Sequence, residues 1–373
     1  MRARDLGIPL DGTPGPGNAI TDVAGVHVGM VTLIEDTDDS RISARTGVTA
    51  ILPLGAQGVG TSVPAGIFSM NGNGELTGSH WIRETGALTG PVMITNTHAV
   101  GPVHRGVIDW ATTHGPHVAA QWMLPVVAET WDGYLNSINE PFVQPQHAGQ
   151  AIDDAHSGQV TEGSAGGGTG MNCYGYKGGN GTSSRQVPLG AAEYTVGVFV
   201  QANFGSRDEL RIAGVSMADL DVPYPMGETT WLVDEIAAPP GAGSVIAVIV
   251  TDAPMTPQQC QALARRVPLG LARTGTTGSH FSGDIFIAFS TANAGALDSG
   301  FPLEDRRDVH LRTMTLVPWN WMDPFFEAVV QATEEAVLNC LVSNSDMTGR
   351  DGHLSYALPV ERVRSRLANQ DIP

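Results

Sequence analysis

The stretch Pro239 to Pro254, PPGAGSVIAVIVTDAP, constrains this chain more than any other. Its Val and Ile run, bounded on both sides by Gly and Pro, reads as a buried strand. Ser244 opens that strand directly after the small-residue loop Pro239-Pro240-Gly241-Ala242-Gly243. A serine here can simply begin a strand. The sharper reading is that the Gly243-Ser244 bond is cut by the chain itself, which would leave Ser244 with both a hydroxyl and a free α-amine. Such an amine has an unperturbed pKa of about 7.7 to 8.0, so a good part of it is neutral near pH 7 and can act as base for its own hydroxyl.

The surroundings must then be a large folded core. At 373 residues the chain suffices for one large domain or two ordinary ones. Gly and Pro, 46 and 24 residues, make about a fifth of it, against roughly 12% in ordinary usage. Many tight turns and close backbone approaches follow. Twenty Lys and Arg against 38 Asp and Glu give a formal net charge of -18, which opposes binding to nucleic acid or to an anionic membrane surface. Cys173, Cys260 and Cys340 lie far apart with no CxxC pair, indicating neither a disulfide framework nor a zinc cluster. The N-terminus lacks an apolar signal core and no run of 18 apolar residues occurs, so a cytoplasmic location is expected, or a periplasmic one if a signal peptide has been removed.

Taken in order, NAITDVAGVHVG (18–29) reads as two short strands. GVTAILPLG (47–55) reads as a third, and AGIFSMNGNGELTGSHWIRETG (65–86) as strand, glycine-rich turn and short helix. Asn71 to Gly78 is dense in residues that tolerate positive φ, so its backbone can approach a neighbour closely. PVMITNTHAVG (91–101) is a strand running into a loop and HRGVIDWATTHG (104–115) a helix. A hydrophobic strand then ends in Glu129, Thr130, Trp131, Asp132, Gly133 and Tyr134, which puts carboxylates and aromatics on a loop at a strand's end. Glu162 to Arg185 is the densest glycine segment. It lacks the spacing of a phosphate loop or a dinucleotide fingerprint and is better explained by backbone threading past backbone.

EYTVGVFVQANFG (193–205) is a long strand ending at Asn203, an amide able to stabilise an oxyanion or to cap a turn. ETTWLVDEI (228–236) is a short helix. Thr256 with Pro257 starts another, and SGDIFIAFST (282–291) is a second strand of chemical interest. In it Ser282 and Asp284 are two apart, so in extended backbone they share a face with Phe286 and can form a hydroxyl-carboxylate relay. HLRTMTLV (310–317) reads as a strand. Residues 323–344 form the best helix, with a stripe of Phe326, Val329, Val330, Thr333, Val337, Cys340 and Leu341. Many strands with helices interspersed and no clean linker suggest one αβ unit of two packed sheets with helices outside.

Taken together, NAITDVAGVHVG, NGNGELTG, AETWDGYLN, EGSAGGGTGMNCYGYKGG, VQANFG, GSVIAVIVTDAP, SGDIFIAFST and ATEEAVLN, in order from Asn18 to Asn339, resemble the self-cleaving aminopeptidases that include the L-aminopeptidase/D-Ala-esterase/amidase and the β-peptidyl aminopeptidases. The resemblance implies an α/β fold, a four-layer α/β/β/α sandwich like that of N-terminal-nucleophile hydrolases but differently connected. It implies one αββα unit over residues 1–373, processed into an α chain, 1–243, and a β chain, 244–373. By motif position Ser244 is the nucleophile, Ser282 and Asp284 orient it, and Asn203 helps form the oxyanion hole. Glu129 meets the substrate's free amine, and either Tyr134 or Trp131 completes the pocket. Some members carry Glu where this chain has Asp284. Cofactors and metal are none. The implied substrate is a short peptide, amide or ester with an L-, D- or β-amino N-terminus, and relatives suggest a homo-oligomer, a tetramer of αβ heterodimers. Alternatives are a self-cleaving acyltransferase of ornithine-acetyltransferase type, which cuts before Thr rather than Ser, and an uncleaved binding protein.

Overall fold

A computed structural model describes residues 1–39, 41–227, 243–302 and 305–369. The expected helix at 228–236 and the loop 239–242 lie outside the described residues. Ten strands build two large sheets: β1 (His27–Asp36), β2 (Ser43–Leu52), β3 (Val63–Gly72), β4 (Ala87–Leu88), β5 (Val92–Asn96), β6 (Val126–Thr130), β7 (Gly179–Leu189), β8 (Ala192–Asn203), β9 (Ser244–Thr251) and β10 (Gly283–Ser290). The first sheet runs β1-β2-β5-β6 and the second β4-β3-β10-β9-β8-β7. In the second, β9 pairs with β10 in parallel and with β8 antiparallel.

Three apolar cores separate four layers, as expected. Outside the first sheet, Val48, Ala50, Leu52 and Met93 meet Val103, Val107 and Trp110 of α2 (Val100–His114) and Ala148, Ala151 and Ile152 of α3 (Pro145–Asp153); α1 is Ser79–Thr85. Between the sheets, Ile51, Ile94 and Ala128 face Phe199, Ile246, Val248 and Phe289. Outside the second sheet, Val245, Ala247, Ile249 and Phe286 pack on α4 (Pro257–Ala264), α5 (Val267–Arg273) and α6 (Asp323–Val342). β9 is therefore buried on both faces, which is why its sequence lacks polar alternation. Its parity also places Ser244 on the Ile246 face, toward the first sheet.

Three expectations change. Only one strand forms in 18–29, because Ile20–Asp22 is a 3-10 turn capped by Asp22, whose carboxylate accepts the Gly17 and Ala19 N–H groups. HLRTMTLV is not a strand; it pairs with no strand among the described residues and leaves Leu311 93% exposed. In α6, Phe325 rather than Phe326 is fully buried, and burial extends to Gln331, Glu335 and Asn339. That helix is covered on more than one side. The N-terminal segment donates to Asn339 through Ala3 N–H and to Glu335 through Arg4 and Asn18, while Arg185 of β7 pairs with Glu335 at 2.8 Å. Among the described residues no helix is long and apolar enough to cross a membrane.

Candidate active site

The site lies where β8, β9 and β10 end together, facing the end of β6. Register sets Asn203 opposite Ser244 on one side and Gly283 opposite it on the other. Gly243 can precede Ser244 only as glycine, since a Cβ there would stand 2.1 Å from the Asn203 carbonyl oxygen. The Gly243 carbonyl accepts the Gly283 N–H at 3.1 Å.

Ser244 is buried, and its Oγ accepts the Trp131 backbone N–H at 3.0 Å. This contact follows from the layers, because the inter-sheet face of β9 points at the turn leaving β6. Ser282 donates its hydroxyl to Asp284 Oδ1 at 2.6 Å, as the spacing of two in extended backbone predicts, and both are buried. By parity Asp284 lies on the Phe286 face, opposite to the Ser244 side chain. It reaches β9 through the Val245 N–H. Among the described residues no hydrogen bond joins the Ser244 and Ser282 hydroxyls. Burial raises the Asp284 carboxyl above its usual range, partly countered by Ser282, Asn71 and the Val245 N–H.

Asn203 is buried, with Oδ1 accepting the Asn172 N–H at 2.9 Å. That bond fixes which end of the amide is which and leaves Nδ2 as the donor end. Glu129, the fourth residue of β6, is 3% exposed and forms no salt bridge among the described residues. Oε1 accepts the Glu75 N–H at 3.0 Å and Oε2 the Thr97 hydroxyl. Burial pushes its carboxyl up, against those two bonds. A buried carboxylate so arranged keeps acceptor capacity for a cation from outside.

Of the two aromatics, Trp131 is half-buried and touches Ser244 through its backbone. Tyr134 is buried, its hydroxyl donates to the Leu354 carbonyl at 3.3 Å and its ring stacks on His353 at 4.8 Å.

Sequence reasoning passed over the residues that hold the site in place. Asn71 donates to Asp284 Oδ2, Asn73 donates to the Phe281 carbonyl at 2.8 Å, and Gly74 packs against both Glu129 and Gly283. The end of β3 and the glycine-rich turn that follows it thus brace Ser282 and Asp284 on one side and Glu129 on the other. Its glycine density was visible, but its partners are more than 50 and 200 positions away. Behind Trp131, burial pushes Asp132 up to about 7 and Lys177 down to about 7; the Lys177 Nζ donates to the Met171 and Gly178 carbonyls. No group of His, Cys, Asp and Glu among the described residues could hold a metal ion.

Known proteins share this arrangement of sheets. The chain is 47% identical to the β-peptidyl aminopeptidase BapA of Sphingosinicella microcystinivorans, over 98% of this chain and 91% of that protein. It is 44% identical to the BapA of Sphingosinicella xenopeptidilytica, over 97% and 90%. Among solved structures it matches the L-aminopeptidase D-Ala-esterase/amidase of Ochrobactrum anthropi, described as a prototype serine aminopeptidase and a variant of the Ntn hydrolase fold, with TM-score 0.88, 43% identity and 98% of both chains covered. A β-aminopeptidase from Burkholderia sp. matches with TM-score 0.88 and 40% identity, over 99% of this chain and 98% of that one. Residues 18–355 match peptidase family S58. With a family match over residues 18–355 and a fold shared over nearly the whole length, this chain belongs to peptidase family S58 and is an aminopeptidase of the Ntn-hydrolase-like kind.

Proposed function

We propose that the chain cuts itself between Gly243 and Ser244, and that the new N-terminal serine then hydrolyses the amide or ester bond next to a free N-terminal amine in short peptides, amides and esters. The observation that carries this reading is the position of Ser244: first residue of a doubly buried strand, preceded by a glycine that nothing larger can replace, with its hydroxyl beside the loop that follows Glu129.

In the uncut chain the Ser244 nitrogen is an amide and cannot act as a base. As Ser244 Oγ attacks the Gly243 carbonyl carbon its proton passes to the Ser244 nitrogen at the strand's start, where the Ser282-Asp284 pair, on the other face from that hydroxyl, serves as the relay. The C–O bond forms, the C–N bond breaks as nitrogen gains a proton, and water hydrolyses the resulting ester to a Gly243 carboxylate and a free Ser244. In turnover the neutral Ser244 amine receives the hydroxyl proton, an acyl-enzyme forms as the leaving amine takes that proton, and water releases the acid. The Asn203 amide donates to the oxyanion. Glu129 pairs with the substrate ammonium and so selects free N-termini. Tyr134 or Trp131 completes the pocket wall. L-, D- and β-amino N-termini all carry the ammonium this carboxylate needs, and the same reading carries a homo-oligomer of αβ pairs.

The test is a denaturing gel with N-terminal sequencing and an aminopeptidase assay. Two fragments are expected, the smaller beginning Ser-Val-Ile, and Ser244→Ala should stay intact with activity down about 10^4-fold or more. An active intact parent, or a Ser244→Ala chain still cut at this bond, overturns the reading.

A further inference from the structure

We propose that Asn71 is a positioning residue of the reaction, whose side-chain amide holds both members of the Ser282-Asp284 pair from the opposite side of the cut. This rests on the reading of that pair as the proton relay. The placement comes from an irregularity in the sheet. The pairing of β10 with β3 runs Gly283 to Gly72 and Asp284 to Asn71, then skips Met70 to set Ile285 against Ser69. A bulge of this kind re-aims the residue beside it.

Asn71 Nδ2 donates to Asp284 Oδ2 at 2.9 Å and to the Ser279 carbonyl at 3.0 Å. That carbonyl also accepts the Ser282 N–H at 3.0 Å, which closes the turn carrying Ser282 into β10. One amide therefore fixes the carboxylate and the backbone of its hydroxyl partner together. With Oδ2 held by Asn71, Oδ1 is left for the Ser282 hydroxyl at 2.6 Å, and rotation of the carboxylate would break both bonds.

Among the described residues the groups facing Asp284 are the Ser282 hydroxyl from its own segment, the Asn71 amide from β3 and the Val245 N–H from β9, none of them charged. After cleavage the Ser244 amine adds one ionisable neighbour. A carboxylate supported only by neutral donors loses much of its preference for the ionised form when one is removed. Asn71 lies in segment 1–243 and Asp284 in segment 244–373, so this bond also joins the two products of processing at the site.

The experiment compares processed Asn71→Ala and Asn71→Asp with the parent in kcat, KM and the pH dependence of kcat/KM, together with thermal unfolding. Asn71→Ala is expected to lower kcat about tenfold to a hundredfold with KM unchanged, and to move the lower acid limb of kcat/KM, that of Asp284 beneath the limb of the Ser244 amine, to higher pH. Asn71→Asp keeps the shape but sets a second carboxyl against Asp284, and should move that limb further. It carries the test if the alanine variant fails to fold. A merely structural role would lower the unfolding temperature and leave kcat and the pH profile of the folded enzyme as in the parent, which overturns the proposal. Asp284→Asn separates the two levels. If it retains parental kcat, the relay reading fails; if it loses activity while both Asn71 variants behave as parent, only the role of Asn71 fails.

Discussion

Two glycine-rich segments of this chain look alike in sequence and do different work. Residues 166–181 are buried almost throughout, and their glycines exist for contact between backbones: a Cβ on Gly170 would stand 2.1 Å from the Arg45 carbonyl, and one on Gly181 only 1.9 Å from the Ala336 carbonyl of α6. Residues 71–78 lie at the rim, and Gly72 meets nothing within 4 Å. There the non-glycine groups matter, through the Asn71 and Asn73 amides and the Glu75 N–H, which reach Asp284, the Phe281 carbonyl and Glu129. Glycine in the first segment lets layers close. In the second it lets a short loop bend tightly enough to brace two halves of a site.

The contrast can be broken at the buried segment first. Gly181→Ala forces a methyl into a main-chain carbonyl, and a loss of about 3 kcal/mol or more in stability is expected in denaturant unfolding, with the activity of the remaining folded enzyme unchanged. Parental stability would show that β7 and α6 are not packed as closely as described.

Glu129→Gln probes the residue that the rim loop holds. It should keep one oxygen for the Glu75 N–H, reverse the Thr97 contact so that the amide NH2 donates to the hydroxyl oxygen, and remove the charge proposed to attract an ammonium, costing about 2 kcal/mol, or roughly thirtyfold in kcat/KM, with stability little changed. In the parent, burial raises the Glu129 and Asp284 carboxyls, and the proposed reaction needs both ionised. Because a raised pKa means protonation at a higher pH, kcat/KM should fall on acidification above pH 4.5, the ordinary value for Glu. An acid limb at or below that value would contradict the role of Glu129.

The smallest effects sharpen the comparison within the rim loop itself. A Cβ on Gly74 would lie 3.1 Å from Glu129 Oε1 and 3.1 Å from the Gly283 Cα, so Gly74→Ala should lower kcat/KM by about 1 kcal/mol, roughly fivefold, and barely change the unfolding temperature. Gly72→Ala meets open space and should fall within about 0.5 kcal/mol of the parent in both measurements. Equal effects at the two positions would remove the distinction.

Much of the site was legible because it sits on strands whose composition announces them. Ser244 opens a run of Val and Ile, and Ser282 and Asp284 are two apart in extended backbone, so their 2.6 Å bond follows from local geometry. HLRTMTLV failed as a strand for the converse reason, since alternation supplies propensity but no edge to pair with. Phe325 and Glu335 were missed as buried because a helical stripe reports one packed face, and α6 is covered on more than one.

The sequence by itself determined that the segments carrying Asn203, Ser244 and Asp284 are strands, which serine stands at a glycine junction, and which hydroxyl and carboxylate share a face, because these depend on neighbours one to four residues apart. Only the tertiary structure decided that the Ser244 hydroxyl meets the Trp131 N–H, that Ser244 and Asp284 occupy opposite faces of their sheet, and that the loop after β3 braces both Asp284 and Glu129. Those contacts join residues more than 50 to more than 200 positions apart, and no local periodicity specifies them; they are set by the order in which strands pair and layers stack.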